Sequence, residues 1–381
     1  MSWPYSVLVV VVSAFLALMI LASDIEAPTV DHTATTTTEQ AAIIYEAPAL
    51  PVATTSEPAP QQKTTPVKKS TPKPQLVAPT EPAIKADPDP YVTRIKNPYV
   101  YPQLSDSALD IITRAAIINI LCIVNNGQSV SGSGVVIDER GVVLTNAHVG
   151  QYVLLSEVSQ NITCTARAGS PAQSAWKLRT LFMPSTWVDA HAQDLRSPQP
   201  TGTGEHDYSL LLLAPLPTVP TPPPIRHLAY DTREGVSFEG DPVLLASYPA
   251  GFVGGFIVMN NLYPTTTFGA IRKLYTFKNS SIDLLSLGGA IVAQGGSSGG
   301  AIVNRWGNLV GLIVTTSEGE TTADRDLRAV TIAHVDRSIR EHTGMGLSEF
   351  LNGDILEHAN DFRVNQLAVL AQKLVDQVPQ Q

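Results

Sequence analysis

The strongest limit on the fold of this sequence is a series of short apolar runs that begins at residue 117. Runs of this length, rich in Val, Ile and Leu and separated by turn residues, predict the strands of an all-β barrel or sandwich. The proline-rich stretch at 215–224 divides the runs into two sets, so we expect two halves joined there. The first set lies at 117–124, 132–137, 142–145, 152–155, 162–166 and 208–213. The second set lies at 243–247, 255–259, 271–276, 290–293, 301–303, 309–316 and 329–333.

Helical patterns flank the two strand sets. Residues 105–116 begin with a serine and carry apolar residues at helical spacing, which predicts a short helix. Residues 336–343 and 361–378 are also predicted to be helical, the second with one apolar face.

These patterns predict a domain organisation for the second part of the chain. We expect a folded domain at 91–343, with barrels at about 105–230 and 231–335. A C-terminal helical extension at 344–381 follows, and we expect it to pack on a barrel rather than on a partner.

The N-terminal segment is predicted to interact with a membrane. Residues 7–22 carry no charge, and counted from Trp3 the apolar run is about 20 residues long, near the length that spans a bilayer. No Lys or Arg precedes the run and its cleavage site is poor, so an uncleaved signal anchor at 1–24 is preferred, with a cleaved signal peptide as the alternative. Acidic residues after the run favour an extracytoplasmic location for the folded domain, membrane-anchored or, in the alternative, secreted.

The segment between the anchor and the folded domain is predicted to be disordered. Residues 27–90 contain 12 Pro and 12 Thr but one aromatic residue, Tyr45. Such a composition cannot bury enough apolar surface to offset the entropy lost on ordering. We therefore expect a Pro/Thr-rich stalk at 25–90, acting as a tether.

Charge and cysteine content exclude several classes of function. The net charge is −9, so no basic surface indicates nucleic acid as a partner. Cys122 and Cys164 lie in no CxxC pair and no His has ligand spacing to them, so we expect no metal and no cofactor. The two cysteines form either one disulfide or two buried thiols, and both alternatives remain open at this stage.

Residues 294–303, QGGSSGGAIV, indicate a nucleophilic serine. A flexible loop would explain the glycines and serines but not the apolar run that follows them directly. A serine that attacks an amide needs a base, a carboxylate that orients the base, and two donors for the developing oxyanion. Ser298 is the candidate nucleophile, and the amides of Gly296 and Ser298 are the candidate oxyanion hole.

Two further motifs supply a base and an acid. VLTNAHV, residues 143–149, places His148 after a strand and a short turn. Asp207 opens the apolar run at 208–213, where a buried carboxylate would be costly unless it is paired. Asp189 and Asp194 are rivals in an irregular segment, and a surface role for Asp207 is the simpler alternative.

VLTNAHV, DYSLLLL and GGSSGGAIVN, in that order, resemble the trypsin/chymotrypsin-like serine proteases, and among them the bacterial HtrA-like members. The resemblance covers roughly residues 117–340 and implies two six-stranded antiparallel β-barrels with the active site between them. It implies a serine endopeptidase with His148 as general base, Asp207 as its orienter and Ser298 as nucleophile. About 40 residues follow the fold, too few for the PDZ domain of HtrA-like members, so none is expected.

The resemblance also implies a substrate pocket. Its walls would be Val292 and Ala293, before the nucleophile, and the strand residues Val314, Thr315 and Thr316. No Asp occupies this region, which disfavours cleavage after Lys or Arg and favours a small or medium apolar side chain. Strand 312–316 is expected to offer an edge to an extended polypeptide substrate.

Two alternatives belong to other classes of function. A catalytically silent protease-like module would serve for binding or scaffolding, although all three residue types of a triad are present. An esterase with a nucleophile elbow fits the loose GxSxG pattern, but the β-rich flanks and the order His, Asp, Ser argue against it.

Overall fold

The structure is a computed structural model. It describes residues 85–86, 92–125, 127–196, 203–224, 226–251, 253–278, 280–316 and 325–377, with backbone alone at 85–86, 196 and 315–316. The predicted anchor at 1–24 lies outside the described residues, as does the predicted stalk at 25–90 except for residues 85–86. Within the described part of the chain, every helix is too short or too polar to cross a bilayer.

The first half is a closed antiparallel barrel of six strands, in the order β2-β3-β4-β7-β6-β5. Its interior contains Val, Ile and Leu side chains from alternating positions, the pattern that half-buried strands produce. The strands are β2 (Ile117–Val124), β3 (Ser129–Val136), β4 (Val142–Thr145), β5 (Ile162–Ala168), β6 (Gln173–Phe182) and β7 (Ser209–Pro215).

The second half is one curled sheet. Its strands are β8 (Pro242–Ser247), β9 (Thr265–Ala270), β10 (Lys273–Thr276), β11 (Leu284–Gly288), β12 (Ala301–Asn304), β13 (Leu309–Thr316) and β14 (Leu327–Thr331). They run in the order β10-β11-β14-β13-β12-β8-β9, and the two-residue strand β1 (Lys85–Ala86) adds to β10 at the edge.

The two ends of this sheet, β9 and β10, are consecutive in the chain. Ile271 and Arg272 separate them, and the Ile271 amide donates to Asp241 O (3.1 Å) while Arg272 N donates to Ser286 O (2.7 Å). Strand β9 pairs with β8, whereas β10, which follows it directly in the chain, pairs with β11. The second half is therefore a curled seven-strand half-barrel and not a closed six-stranded barrel. The all-β, chymotrypsin-like architecture is confirmed, and the closure expected of the second half is corrected.

Eight α-helices occur in the described residues. They are α1 (Asp106–Ala116), α2 (Ala147–Ser156), α3 (Ser185–His191), α4 (Gly255–Asn260), α5 (Ile332–Thr343), α6 (Leu347–Asn352), α7 (Ile355–Phe362) and α8 (Ala368–Val375). Helix α1 begins at the predicted place, because Ser105 Oγ accepts from Ala108 N (3.3 Å) and caps it. Helix α5 is capped at its N-terminus by Thr331, whose Oγ1 accepts from His334 N (3.0 Å), and at its C-terminus by Gly344 with φ 79°.

Three predicted strands are wrong. Residues 152–155 belong to helix α2, residues 255–259 to helix α4, and residues 290–293 form a turn. Apolar runs of four or five residues are too short to separate a strand from one turn of buried helix by periodicity. Strands β6, β9 and β11 were not predicted.

The C-terminal helices pack on the first half of the molecule. Leu370, Ala371 and Leu374 of α8 form one buried cluster with Ala147 and Leu154 of α2 and with side chains of α3. The extension therefore contacts the helix that begins directly after β4.

Cys122 and Cys164 face each other across β2 and β5 and form a disulfide, with Cα atoms 4.1 Å apart. Both side chains are buried. Of the two alternatives that the sequence leaves open, the structure has the disulfide.

Candidate active site

His148 is the second residue of α2, immediately after β4. Asn146, at the N-cap of this helix, does not cap it with its side chain; instead its Nδ2 donates to Asp207 O (2.8 Å). Gln151 Nε2 donates to His148 O (2.9 Å) one turn further along. These contacts fix the backbone on both sides of His148, while 29% of its side chain is exposed.

Asp207 reaches His148 because β4 and β7 are antiparallel neighbours. Thr145 at the end of β4 lies opposite Ser209 at the start of β7, so the residues beyond these strand ends meet. His148 Nδ1 lies 2.7 Å from Asp207 Oδ2, and the His148 amide donates to Oδ1 (3.0 Å). Since an ionised carboxylate can only accept, Nδ1 carries the proton and Nε2 of the neutral ring is left as a base.

The pKa of His148 is set by two opposed effects. Burial alone lowers the pKa of the imidazole, but the charge of Asp207 and the hydrogen bond to it outweigh burial and raise the pKa above its usual value. Asp207 therefore stabilises the imidazolium that forms when His148 accepts a proton.

The chain before Asp207 makes a tight turn. Asp207 N donates to Gly204 O (3.1 Å), and His206 has φ 59°, in the left-handed region. His206 Nδ1 lies 2.7 Å from Ser338 Oγ, which accepts from Tyr208 OH (2.9 Å). The turn thus directs His206 towards α5 and leaves Asp207 to face His148.

Ser298 lies in the loop between β11 and β12, and every carbonyl from residue 295 to residue 298 has a donor. Gly295 O accepts from Ala250 N (2.7 Å), and Ser297 O accepts from Gly300 N (2.9 Å). The other two carbonyls are held by one residue of the first barrel: Gly296 O accepts from Ser133 Oγ (2.7 Å) and Ser298 O from Ser133 N (2.8 Å).

The amides of the same loop alternate between bonded and open. Ser297 N donates to Gln294 O (3.2 Å) and Gly299 N to Ile313 O (2.9 Å), whereas the amides of Gly296 and Ser298 have no acceptor among the described residues. In a trans peptide the N–H points opposite to the preceding carbonyl, so bound carbonyls at Gly295 and Ser297 also fix these two open amides. Two fixed, unpaired donors are what an oxyanion hole requires.

Two glycines make this loop conformation attainable. Gly296 and Gly299 have φ of 87° and 83°, in the left-handed region that side-chain-bearing residues disfavour. A Cβ on Gly299 would lie 2.1 Å from Ser133 O, and a Cβ on Gly296 would lie 2.8 Å from Tyr248 O. Both positions therefore exclude any other residue without a rearrangement.

The two serines of the loop differ in environment. Ser297 is 1% exposed, and its Oγ accepts from Ser247 Oγ (3.0 Å). Ser298 is half-buried, and within the described residues its hydroxyl has no hydrogen-bond partner, His148 included. Ser298 is therefore the serine with a hydroxyl available to a ligand.

The expected pocket residues lie in the core. The side chains of Val292, Ala293 and Val314 are at most 3% exposed, and those of Thr315 and Thr316 lie outside the described residues. A cation that the sequence motifs did not indicate is close by, since Arg325 Nη1 donates to Ala293 O (3.1 Å).

Strand β13 has an open edge beside the loop. It pairs with β14 as far as Thr316, but with β12 only as far as Leu312. Ile313 then bonds to Gly299 and Gly300 of the loop, and from Val314 onward this edge has no strand partner among the described residues. An extended chain could pair there by β-augmentation.

Comparison with known proteins finds a family model that is similar to part of this chain. Residues 132–312 match the family model for the trypsin-like peptidase domain. No curated protein matches the chain.

Two solved structures resemble this chain over 64% of its length. One is the HtrA-type protease AlgW with a tripeptide, at 19% identity, 65% coverage of that chain and a TM-score of 0.41. The other is a serine endoprotease from Yersinia pestis, at 17% identity, 70% coverage and a TM-score of 0.42. The chain thus spans about two thirds of the length of the AlgW chain.

Proposed function

We propose that this chain is a serine endopeptidase with His148, Asp207 and Ser298 as its catalytic triad, a proposal supported by the match of residues 132–312 to the trypsin-like peptidase model. The observation that carries the proposal is the His148–Asp207 pair, joined at 2.7 Å through Nδ1 with Nε2 left as a base. A protease-like module without turnover would have no need for a buried carboxylate held in this way.

The reaction follows from these positions. Ser298 Oγ attacks the carbonyl carbon of the scissile amide while its proton moves to His148 Nε2. Asp207 stabilises the imidazolium, and the amides of Gly296 and Ser298 donate to the oxyanion of the tetrahedral intermediate. When this intermediate collapses, His148 gives the proton to the leaving amine, and an acyl group remains on Ser298.

Deacylation uses the same groups. A water molecule gives its proton to His148 Nε2 and attacks the acyl carbon, after which the proton returns to Ser298 Oγ as the carboxylic acid leaves. The structure has no hydrogen bond between Ser298 Oγ and His148 Nε2, so this contact has to form when substrate binds. Such bonds are often long or absent before substrate binds.

The substrate is an extended polypeptide that pairs with the open edge of β13 and presents a small or medium apolar side chain before the scissile bond. The absence of an Asp at residues 291–293, just before the nucleophile loop, supports this preference. Cleavage profiling with a peptide library tests it, and strict cleavage after Arg or Lys would overturn it.

The enzyme acts outside the cytoplasm, anchored by residues 1–24 or, in the alternative, secreted. The Cys122–Cys164 disulfide supports this location, since such bonds persist in oxidising compartments. Membrane fractionation of the full chain tests the anchor, and recovery of the intact protein in the soluble cytoplasmic fraction would contradict it.

A fluorophosphonate probe tests the catalytic role directly, because it labels only an activated serine. We expect the parent to be labelled and to cleave unfolded casein, Ser298→Ala to do neither, and the matched variant Ser297→Ala to be labelled. A parent that is neither labelled nor active would favour the catalytically silent binding module.

A further inference from the structure

One buried residue of the first barrel, Ser133, holds the loop that contains Ser298. Ser133, in β3, is 0% exposed and uses all of its polar atoms. Its N donates to Ser298 O (2.8 Å), its Oγ donates to Gly296 O (2.7 Å) and accepts from Tyr248 N (2.8 Å), and its O accepts from Thr145 Oγ1 (2.6 Å).

We propose that Ser133 is a positioning residue that keeps the oxyanion hole formed. This inference rests on the proposed peptidase function and assigns a residue that the triad motifs do not include. Ser133 itself touches no substrate in this mechanism, and it acts through the backbone of Gly296 and Ser298.

The mechanical argument concerns the peptide unit that joins residues 297 and 298. This unit supplies the Ser298 amide, and the units on either side of it have the carbonyls of Gly296 and Ser298. A peptide unit turns most easily when its neighbours turn in the opposite direction, and here both neighbours are bonded to Ser133. Turning the Ser298 amide away from the oxyanion would therefore break a Ser133 hydrogen bond.

The Gly296 amide depends on the same side chain for a second reason. Glycine has no Cβ to restrict φ and ψ, so the 295–296 unit needs an external restraint. Ala250 N restrains it through Gly295 O, and the Ser133 hydroxyl restrains the next unit through Gly296 O. Without the hydroxyl, Gly296 O would be left with no donor in a partly buried place, which favours a rearranged loop.

Ser133 also fixes the position of the Ser298 loop relative to the strand end that leads to His148. Its carbonyl accepts from Thr145, three residues before His148, and its amide donates to Ser298. A single residue thus connects the strand end that leads to His148 with the carbonyl of the nucleophile.

The test compares Ser133→Ala and the conservative Ser133→Thr with Ser247→Ala. Ser247 is a matched control because it is also buried and also donates to this loop, but to the Ser297 hydroxyl rather than to a backbone carbonyl. Active sites are titrated with the fluorophosphonate, so that kcat refers to folded, reactive enzyme, and thermal unfolding is recorded for each variant. The substrate is a chromogenic peptide chosen from the library profile.

We expect Ser133→Ala to lower kcat per titrated site about tenfold or more, with KM changed less than about threefold, because a misplaced oxyanion donor acts in the transition state. The inhibition constant of a peptide aldehyde, whose adduct places an oxyanion in the hole, should rise in the same ratio. Ser133→Thr should recover most of kcat, and Ser247→Ala should keep kcat within about threefold of the parent at a similar loss of stability.

Parent-like kcat per titrated site in Ser133→Ala would overturn the inference and leave Ser133 a structural role alone. Equal losses of kcat per titrated site in Ser133→Ala and Ser247→Ala would also overturn the inference. If Ser133→Thr does not fold, Ser133→Ala and the aldehyde still decide the question. A parent that is itself unlabelled would instead contradict the proposed function and remove the basis of this inference.

Discussion

At the scale of single residues, His148 and His206 show how position decides chemistry. Both lie beside Asp207, one in space and one in sequence. The imidazole of His148 is hydrogen-bonded through Nδ1 to the Asp207 carboxylate, and this bond and the carboxylate charge raise the pKa of His148. His206 turns away towards Ser338, and burial, together with the neighbouring His334 and His342, lowers its pKa to about 4.

The raised pKa of His148 predicts the pH dependence of turnover. The base must be neutral, so kcat/KM should rise with pH through an inflection above 6.5, the usual value for histidine. Asp207→Asn removes the charge that raises the pKa and allows the wrong tautomer, so kcat/KM should fall about 10³- to 10⁴-fold. A pH–rate profile measures both effects.

The matched control for that profile is Asp194→Asn, because Asp194 also pairs with a histidine, His191 (2.8 Å). It should leave both the inflection and the rate unchanged. An inflection that does not depend on Asp207 would remove His148 from the role of base.

The lowered pKa of His206 predicts acid sensitivity of the fold. Its pKa falls from 6.5 in the unfolded chain to about 4 in the folded one, so the folded state binds fewer protons between these values. The contribution of His206 to the free energy of unfolding is fully present above pH 6.5. It is lost as pH falls towards 4, which lowers the free energy of unfolding by about 2–3 kcal/mol. His334, His342, Glu341 and Lys278 are the charged or titratable neighbours that contribute.

His206→Asn should reduce this acid loss, because asparagine tolerates left-handed φ and does not titrate. Urea unfolding at pH 7 and pH 4.5 measures the difference, with the exposed His227→Asn as control. Equal acid loss in the parent and in His206→Asn would show that other groups cause it.

At the scale of elements, the C-terminal helix α8 supports the helix that carries His148. Leu374 is fully buried against this cluster, whereas its neighbour Val375 is 38% exposed. The predicted apolar face of 361–378 therefore acts inside the molecule, on α2 and α3, as the sequence pattern indicates.

Leu374→Asp should lower the free energy of unfolding by at least about 3 kcal/mol, because it removes buried methyl groups and places an unpaired carboxylate among apolar side chains. Val375→Asp, on the exposed side of the same turn, should change it by less than about 1 kcal/mol. Urea unfolding compares the two variants. Similar effects at both positions would show that α8 does not pack on α2 in solution.

At the scale of the whole molecule, buried polar contacts join the two halves. Arg167 of β5 is 2% exposed, and its guanidinium donates to Val258 O (2.8 Å) and Met259 O (2.9 Å) at the end of α4 and to Asn119 Oδ1 (2.8 Å). A cation at a helix C-terminus satisfies carbonyls that the helix leaves open. Arg167 thus ties α4 of the second half to the first barrel.

Arg167→Met should remove these bonds while keeping most of the side-chain volume. We expect a loss of about 2 kcal/mol in the free energy of unfolding and faster amide exchange in α4. Hydrogen exchange with mass spectrometry checks the second effect, and the exposed Arg179→Met serves as control. Unchanged exchange at residues 255–260 would contradict the role of Arg167.

Local patterns in the sequence predict much of the fold and of the site. Alternating apolar residues and turn signals indicate the all-β class, and residue chemistry in three motifs indicates His148, Asp207 and Ser298. The errors are also local. Strand β9, TTTFGA, has no buried apolar face from which a strand could be predicted. The apolar run YVLL of α2 is too short for its periodicity to distinguish a helix from a strand.

Contacts between distant parts of the chain were decided by the tertiary structure alone. The register of β2 against β5 brings Cys122 to Cys164, the pairing of β4 with β7 brings Asp207 to His148, and Ser133 reaches Gly296 across 163 residues. A sequence pattern reports which side chains a segment can bury, since that depends on neighbours along the chain. Which amides are left open at Gly296 and Ser298 depends on partners far away in sequence, and packing alone determines those partners.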